Sequence, residues 1–185
     1  MSVSAKLLSA EKYLIRFICY SFIGWLYETS LWIFEQHQLV NRGFCLGPWL
    51  PIYGFGGMLL YYTIYRHAKE FHPFLVFLAV SAAAAAVELV STYAMGFAGL
   101  DFRTLWSYGD YAINFQERIA LLPSLKFGLL GCAIIYIFQE KIDAFIGSSL
   151  SRNECVRFLY IFFVTDVCVH VLAGSNYTGV PLLYL

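Results

Sequence analysis

Five long apolar stretches recur along the sequence and constrain the fold more than any other feature. They are residues 13–34, 51–65, 74–97, 119–138 and 156–173. Each approaches the ~20 residues that a helix needs to cross about 30 Å of hydrocarbon, although the second is short and rich in glycine. The runs are continuous, whereas the strands of a membrane barrel alternate apolar and polar residues. We therefore predict an all-α, polytopic integral membrane protein with about five transmembrane helices.

The composition argues against a soluble globular domain. The 185 residues are 60% hydrophobic and 13% charged, which is about half the charged share of an ordinary soluble domain. The formal net charge is zero, so long-range attraction to nucleic acid is not expected. We expect a single transmembrane helical domain over residues 1–185, with the lipid bilayer as its partner and the plasma membrane, crossed several times, as its location.

The basic residues orient the predicted helices. A cytoplasmic N-terminus agrees with the preference of Lys and Arg for the cytoplasmic side, because it places most of them there. That set is Lys6, Lys12, Arg16, Arg66, Lys69, Lys141, Arg152 and Arg157. The outer set is Arg42, Arg103 and Arg118. With this orientation the two most irregular connections, residues 35–50 and 98–118, both face outward.

Four ionisable residues lie deep within the predicted spans, away from their ends. They are Glu28, Glu88, Lys126 and Asp166. A charge near the centre of a membrane helix costs roughly 2.5–3.5 kcal/mol, so none of them is expected to face lipid alone. Counted at about 1.5 Å per residue, the first three share one height and Asp166 lies beneath them. We predict an outward-facing polar cluster that binds a small solute or ion; a purely structural ion network is the alternative.

The segment NRGFCLGPWLPIYGFGG, residues 41–57, interrupts the helical pattern. Its glycines and prolines end one helix and delay the next, which predicts a fixed turn or a short re-entrant or interfacial piece. Asn41, Arg42 and Tyr53 join the predicted site from this segment. The glycines at 54–57 indicate either close helix packing or space for a ligand. Cys45 lies in the same loop and is a candidate reactive thiol, which would require a lowered pKa.

The segment of residues 106–124 runs from the second outward connection into a helix predicted to begin near Glu117, and its part before that helix is rich in aromatic and amide side chains. Its aromatic residues indicate an interfacial belt or a lid over the polar cluster. Asn114, Glu117 and Arg118 of this connection complete the predicted site.

Recognisable catalytic and metal-binding motifs are missing from the sequence. It contains no HExxH, no GxSxG, no Asp-rich metal motif and no phosphate-binding loop, and its five cysteines form no CxxC pair. We therefore predict no metal, no cofactor and no catalytic residue. Coupling to ATP would require a separate ATPase subunit.

Several motifs together resemble a known family. They are GWLYE ending at Glu28, NRGF at 41–44, GPWLPIYGFG at 47–56, Glu88, Trp106, Tyr108, Asn114, Arg118 with Ile119, Ser124, Gly128 and Asp166. Over nearly the whole chain they resemble the putative ABC-transporter type IV family, the CmpB-like permeases of bacteria. The resemblance implies a transport protein of the bacterial inner membrane, without a substrate. The sequence departs from the family pattern at Glu117, where glycine is expected, and at Lys126, where an apolar or aromatic residue is expected; a pair of these two would tune the site differently.

Three functions fit these observations. The first is a transport component, a small permease that works with a separate ATPase and a second copy of itself. The second is a non-transporting partner or sensor subunit, whose alanine run at 81–88 and aromatic faces form the interface. The third is an intramembrane enzyme that uses Glu28 and Glu88 as acid and base on a lipid-like substrate. We take the first as the working hypothesis and expect no enzymatic activity.

Overall fold

The computed structural model is predominantly helical, which confirms the predicted all-α class. It describes residues 3–43, 45–104, 106–149, 154–173 and 180–184. Phe44 and Arg152, which the sequence analysis named, lie outside the described residues. The α-helices of the described part are α1 Val3–Gln36, α2 Pro51–Thr63, α3 Pro73–Phe97, α4 Leu121–Ala133, α5 Gln139–Ser149 and α6 Glu154–Ala173.

Short elements connect these helices. A π-helical turn, Ile134–Phe138, joins α4 to α5, and two 3₁₀ turns lie at Tyr65–His67 and Phe102–Thr104. Strand β1 (Gln38–Asn41) pairs antiparallel with β4 (Val180–Tyr184), and β2 (Asn114–Phe115) pairs antiparallel with β3 (Ile119–Ala120). The sequence analysis predicted none of these strands, because segments of two to five residues are too short to display a period.

The helix ends differ from the predicted ones where polar helix formers extend an apolar run. Helix α1 begins at Val3 rather than at residue 13, and the fourth predicted span continues through the π turn to Ser149. Polar residues such as Gln139 and Glu140 have good helix propensity, so the loss of apolar character does not end a helix. Helix α4 itself begins at Leu121 rather than near Glu117.

Two helices of the described residues are long and apolar enough to cross a membrane. They are Pro73–Phe97 and the continuous helix Leu121–Gly147. Phe97 is 92% exposed and Leu129 is 64% exposed, and exposed apolar side chains of this size suit a lipid surface. Helix α2 has 13 residues and is therefore only about 20 Å long. The described residues support a helical membrane protein but do not confirm five spans.

The chain divides into two compact units. The first comprises Met1–Met58 and Lys141–Leu185, and the second comprises Leu59–Glu140. Buried apolar residues form a cluster in each unit. The cluster of the first unit contains Ile18, Cys45, Trp49 and Phe163. The cluster of the second contains Ala68, Val76, Val80 and Ile135. The single transmembrane domain stays a prediction.

Glycines of α2 allow close packing on α1 in the first unit. A Cβ atom at Gly54 would overlap the Ser21 hydroxyl and the Phe17 ring, and a Cβ atom at Gly57 would overlap the Tyr20 ring. Small residues let helix backbones approach each other in lipid. These contacts support the packing interpretation of the glycine-rich segment.

A similar contact joins α3 and α4 in the second unit. A Cβ atom at Gly128 would overlap the Ser81 hydroxyl and the Phe77 ring, and one at Gly131 would overlap the Val80 side chain. Close approach of the two backbones therefore depends on glycine at both positions.

We expect Gly54→Ala to destabilise the protein by about 1–3 kcal/mol, because the added methyl group overpacks the contact with Phe17 and Ser21. Gly56→Ala is the matched control in the same helix, since a Cβ atom there meets nothing within 4 Å. The control should be neutral or slightly stabilising. Thermal unfolding in detergent measures both variants, and equal midpoints would contradict the close packing.

Candidate functional site

The predicted site residues divide between the two units. The first unit contains Glu28, Asn41, Arg42, Tyr53 and Asp166. The second unit contains Glu88, Asn114, Glu117, Arg118 and Lys126. Each unit brings some of its own residues into contact and leaves others with different partners. The single cluster at one height, with Lys126 beside the glutamates, stays a prediction.

Glu28 and Tyr53 form the first contact of the site. The Tyr53 hydroxyl in the first turn of α2 donates to Oε1 of Glu28 on α1, with 2.5 Å between the oxygens. Gly24 lies one turn before Glu28, and a Cβ atom at Gly24 would overlap Tyr53. A short O–H···O distance is typical of a hydrogen bond to a carboxylate. The absence of a side chain at Gly24 therefore leaves the space that Tyr53 occupies beside Glu28.

Asp166 anchors the turn that precedes α2. Its carboxylate accepts from the backbone N–H of Leu46 at 3.2 Å, the backbone N–H of Gly47 at 2.8 Å and the indole N–H of Trp49 at 2.8 Å. The residue is only 8% exposed. A buried carboxylate is tolerated when such donors replace its water. Asp166 therefore holds residues 46–49 in place from α6.

Asn41 holds the same turn from its other end. Its side-chain oxygen accepts from the backbone N–H of Gly43 at 2.8 Å and from the indole N–H of Trp25 at 2.9 Å. Its amide nitrogen donates to the carbonyls of Cys45 and Leu46, both at 3.3 Å. The predicted fixed turn is thus present between β1 and α2, and side-chain hydrogen bonds fix it. Its depth in the membrane stays a prediction.

Cys45 is a buried, inert thiol within this turn. Its side chain is fully buried. Burial, and secondly the negative charge of Asp166, raise the pKa of the Cys45 thiol to about 11. The thiolate is the nucleophile, so a thiol with this pKa reacts slowly at neutral pH. The interpretation of Cys45 as a reactive thiol is therefore not supported.

Arg42 packs on an aromatic ring of α1. Its guanidinium carbon lies 4.5 Å from the centre of the Trp32 ring, a distance typical of a cation–π contact. Its Nε atom is buried and has no hydrogen-bond partner within the described residues. Trp32 lies one helical turn after Glu28, so the cation rests near the end of the helix that carries the acid.

Glu88 has a tyrosine partner in the second unit. The Tyr108 hydroxyl donates to Oε1 of Glu88 on α3, with 2.5 Å between the oxygens. The Tyr108 ring contacts Tyr111 edge to face, with 5.6 Å between ring centres. Tyr108 was not among the predicted site residues, although it is one of the residues that carry the family resemblance. The resemblance was the one feature of the sequence that singled out Tyr108. The connection between α3 and α4 contains several aromatic residues, and the sequence does not show which of them contacts Glu88.

Arg118 lies between two aromatic rings of the same unit. Its guanidinium carbon is 4.6 Å from the centre of the Tyr93 ring and 4.4 Å from the centre of the Phe102 ring. Its Nε and Nη1 atoms are buried without a hydrogen-bond partner in the described part of the chain. Cation–π contact therefore positions this arginine, and sequence reasoning had identified neither ring.

Glu117 pairs with Arg103, and a pair of Glu117 with Lys126 stays a prediction. The Nε atom of Arg103 donates to Oε2 of Glu117 at 2.8 Å. This hydrogen bond, together with the charge of Glu117, raises the pKa of Arg103 above its ordinary value. Asn114 shapes the turn, because its side-chain oxygen accepts from the Glu117 N–H at 3.1 Å. Lys126 lies partly buried on α4.

The backbone at Glu117 has a conformation that suits the glycine expected there from the family resemblance. Glu117 has φ +60°, and the preceding Gln116 has φ +53°. A positive φ is unfavourable for residues with a Cβ atom and costs glycine nothing. The tight turn between β2 and β3 imposes this conformation. This chain has glutamate at position 117, and the Arg103 side chain is its ion-pair partner.

A comparison with family models identifies the family of the chain. The model described as "Putative ABC-transporter type IV" matches residues 15–171. The match spans most of the chain, and the chain therefore belongs to this family, which confirms the resemblance drawn from its motifs. It is an ABC-transporter-related membrane protein. Neither the comparison with curated proteins nor the comparison with solved structures gave a match.

We expect Asp166→Ala to open the turn around Cys45, because three N–H donors lose their acceptor. The experiment uses a background variant in which every cysteine except Cys45 is replaced by serine. In this background Asp166→Ala should lower the free energy of local opening by about 3 kcal/mol, and the rate of maleimide labelling of Cys45 should rise roughly a hundredfold. Trp49→Phe is the control that keeps the charge near Cys45 and removes one donor, and it should give a smaller increase. Unchanged labelling of folded Asp166→Ala would contradict the anchoring role.

We expect Glu117→Gly to stabilise the protein by about 0.5–1 kcal/mol, because glycine relieves the left-handed backbone strain. The exposed pair with Arg103 contributes little, so its loss should not cancel the gain. Glu117→Gln removes the same charge but keeps the strain, and should leave stability nearly unchanged. Thermal unfolding measures both; a glycine variant no more stable than the glutamine variant would contradict the explanation.

Proposed function

We propose that the protein is the membrane component of a transporter for a small solute or ion in the bacterial inner membrane. The hydrogen bond between Glu28 and Tyr53 carries this proposal. A carboxylate on a long apolar helix is costly and is retained mainly along solute or ion pathways. Membership of the ABC-transporter-related family supports the same class.

The proposed solute binding is outward-facing, with Glu28 as the central acid of the first unit and Glu88 as that of the second, where Lys126 is a further charged member. Asp166 was proposed as a ligand from its depth alone; its three N–H donors favour a role in anchoring the turn. Asn41 shares that role. The other predicted site residues are a tyrosine that donates to Glu28, two arginines that lie over aromatic rings, and two residues of the hairpin formed by β2 and β3. They are Tyr53, Arg42, Arg118, Asn114 and Glu117.

We further propose five membrane spans with a cytoplasmic N-terminus. Helix α1 has 34 residues and α6 has 20, about 51 Å and 30 Å in length, so each can cross the hydrocarbon core. Helix α2 is too short to cross alone. It therefore needs the residues next to it, including the 3₁₀ turn Tyr65–His67 that follows it, to complete the second span.

Energy for transport would come from a separate ATPase, because the sequence has no phosphate-binding loop. The cytoplasmic link between α2 and α3 is the proposed docking site. It exposes a contact between His67 and Glu70 and an ion pair of Lys69 with Glu140 of α5, and all four side chains are more than half exposed. A second copy of the chain would complete the membrane part, since one chain has few helices for alternating access.

A photo-crosslinking amino acid at Glu70 tests this function in native membranes. We expect a crosslink to a protein with the GxxxxGK[ST] loop, identified by mass spectrometry, because the link faces the proposed ATPase. The same amino acid at Phe97 is the control, since this exposed residue lies at the opposite end of α3. A constant Glu70 partner without that loop would instead favour the partner or sensor subunit.

A further inference from the structure

Helices α1 and α3 carry the same contact residues at a constant spacing. The phenylalanine and serine that pack on glycine are four residues apart in both helices, and the glutamate follows the serine after seven residues. The corresponding positions, sixty residues apart, are Phe17 and Phe77, Tyr20 and Val80, Ser21 and Ser81, and Glu28 and Glu88.

The second helix of each pair matches as well. Gly54 of α2 and Gly128 of α4 each pack on the phenylalanine and serine of the preceding long helix. Three residues later, Gly57 and Gly131 each pack on the residue before that serine. The same contacts, made twice in the same order, indicate an internal repeat. The first repeat is α1, its connection and α2; the second is α3, its connection and α4.

The connections of the two repeats share a third feature. In each repeat an arginine of the connection places its guanidinium over an aromatic ring near the end of the first helix. Arg42 packs on Trp32 in this way, and Arg118 packs on Tyr93. The ring lies four residues after the glutamate in the first repeat and five after it in the second. The likeness therefore extends from the helices to the connection.

The tyrosines that donate to the two glutamates do not occupy corresponding positions in the two repeats. Tyr53 precedes Gly54, whereas the matching position before Gly128 is Phe127, which has no hydroxyl group. Glu88 nevertheless receives a tyrosine hydroxyl, from Tyr108 in the longer connection. Helix packing alone does not require a phenol beside the acid. The tyrosine of the pair comes from α2 in the first repeat and from the connection in the second. We therefore infer that the carboxylate–tyrosine pair has a function apart from helix packing.

We propose that each repeat holds one binding site for a small organic ammonium ion, so that one chain binds two. In the first repeat Tyr27 lies beside Tyr53, with 6.3 Å between ring centres. In the second repeat Tyr111 takes the corresponding place beside Tyr108. A carboxylate accompanied by aromatic rings supplies the charge and the ring faces that recognise an ammonium group. The inference rests on the proposed function and names its solute class.

A metal ion fits these pairs less well. Calcium and magnesium take six or more oxygen ligands, and one carboxylate with a phenol supplies too few. Within the described residues, no three His, Cys, Asp or Glu side chains are grouped as metal ligands. A proton would need the carboxylate but not the neighbouring rings. Proton uptake alone is therefore an outcome that the experiment distinguishes.

Calorimetric titration of the full chain in lipid nanodiscs with ethylammonium chloride, at constant pH, tests the proposal. We expect two equivalent sites per chain for the natural sequence. Glu28→Gln and Glu88→Gln should each leave one site, and the double variant should leave none. Glu70→Gln is the matched control, because Glu70 is an exposed residue of the link after α2 and should leave both sites.

The tyrosines provide a second, milder set of variants. Tyr53→Phe should weaken only the first site and Tyr108→Phe only the second, each about tenfold, because each hydroxyl hydrogen-bonds one carboxylate and holds its orientation. Phenylalanine keeps the ring, so the fold should tolerate the change better than the loss of a glutamate. Thermal unfolding of each variant confirms that it is folded before binding is measured.

The outcomes separate this inference from the proposed function. One site per chain that either glutamine variant abolishes would overturn two separate sites and leave transport standing. Proton uptake without ammonium binding would overturn the ligand class alone. A folded chain that takes up neither ammonium nor protons, and gives no ATPase crosslink, would overturn the transport proposal as well.

Discussion

A carboxylate on an apolar helix needs hydrogen-bond donors, because its apolar surroundings do not replace the water that it loses. Glu28 obtains a donor from Tyr53, and Asp166 obtains three from the turn before α2. In the second unit Glu88 obtains one from Tyr108. These hydrogen bonds fix the positions of the connecting segments. The start of α2 is held where Tyr53 can donate to Glu28, and the turn before α2 is held where its N–H groups can donate to Asp166.

Close helix packing makes these hydrogen bonds possible. Gly24 leaves room for Tyr53 beside α1, and Gly54 and Gly57 let α2 approach the same helix. A larger side chain at any of these positions would separate the backbones and carry the phenol away from the acid. The same kind of contact recurs in the second unit, where Gly128 and Gly131 of α4 pack on α3. Each of the two units thereby contains a carboxylate–tyrosine hydrogen bond beside a closely packed helix pair.

The outer turn of the second unit shows how a departure from the family pattern is accommodated. Glu117 occupies a left-handed backbone position for which glycine is suited, and its carboxylate pairs with Arg103. The sequence indicated that this position was unusual, but not why, because a φ angle is set by the β2–β3 turn as a whole. The structure gives Glu117 a cationic partner from the preceding 3₁₀ turn, Arg103, which the sequence did not indicate.

The sequence by itself determined the helical class, the approximate helices, the break at residues 41–57 and the need of the buried acids for partners. These follow from local composition and from the high cost of charge in hydrocarbon, and they require no knowledge of distant contacts. Only the tertiary structure decided which donor serves which acid. Asp166 meets Leu46 across 120 residues of chain, and Tyr108 rather than another aromatic residue of its connection reaches Glu88. Such pairings depend on how the helices pack, because packing alone brings residues so far apart in sequence within hydrogen-bonding distance.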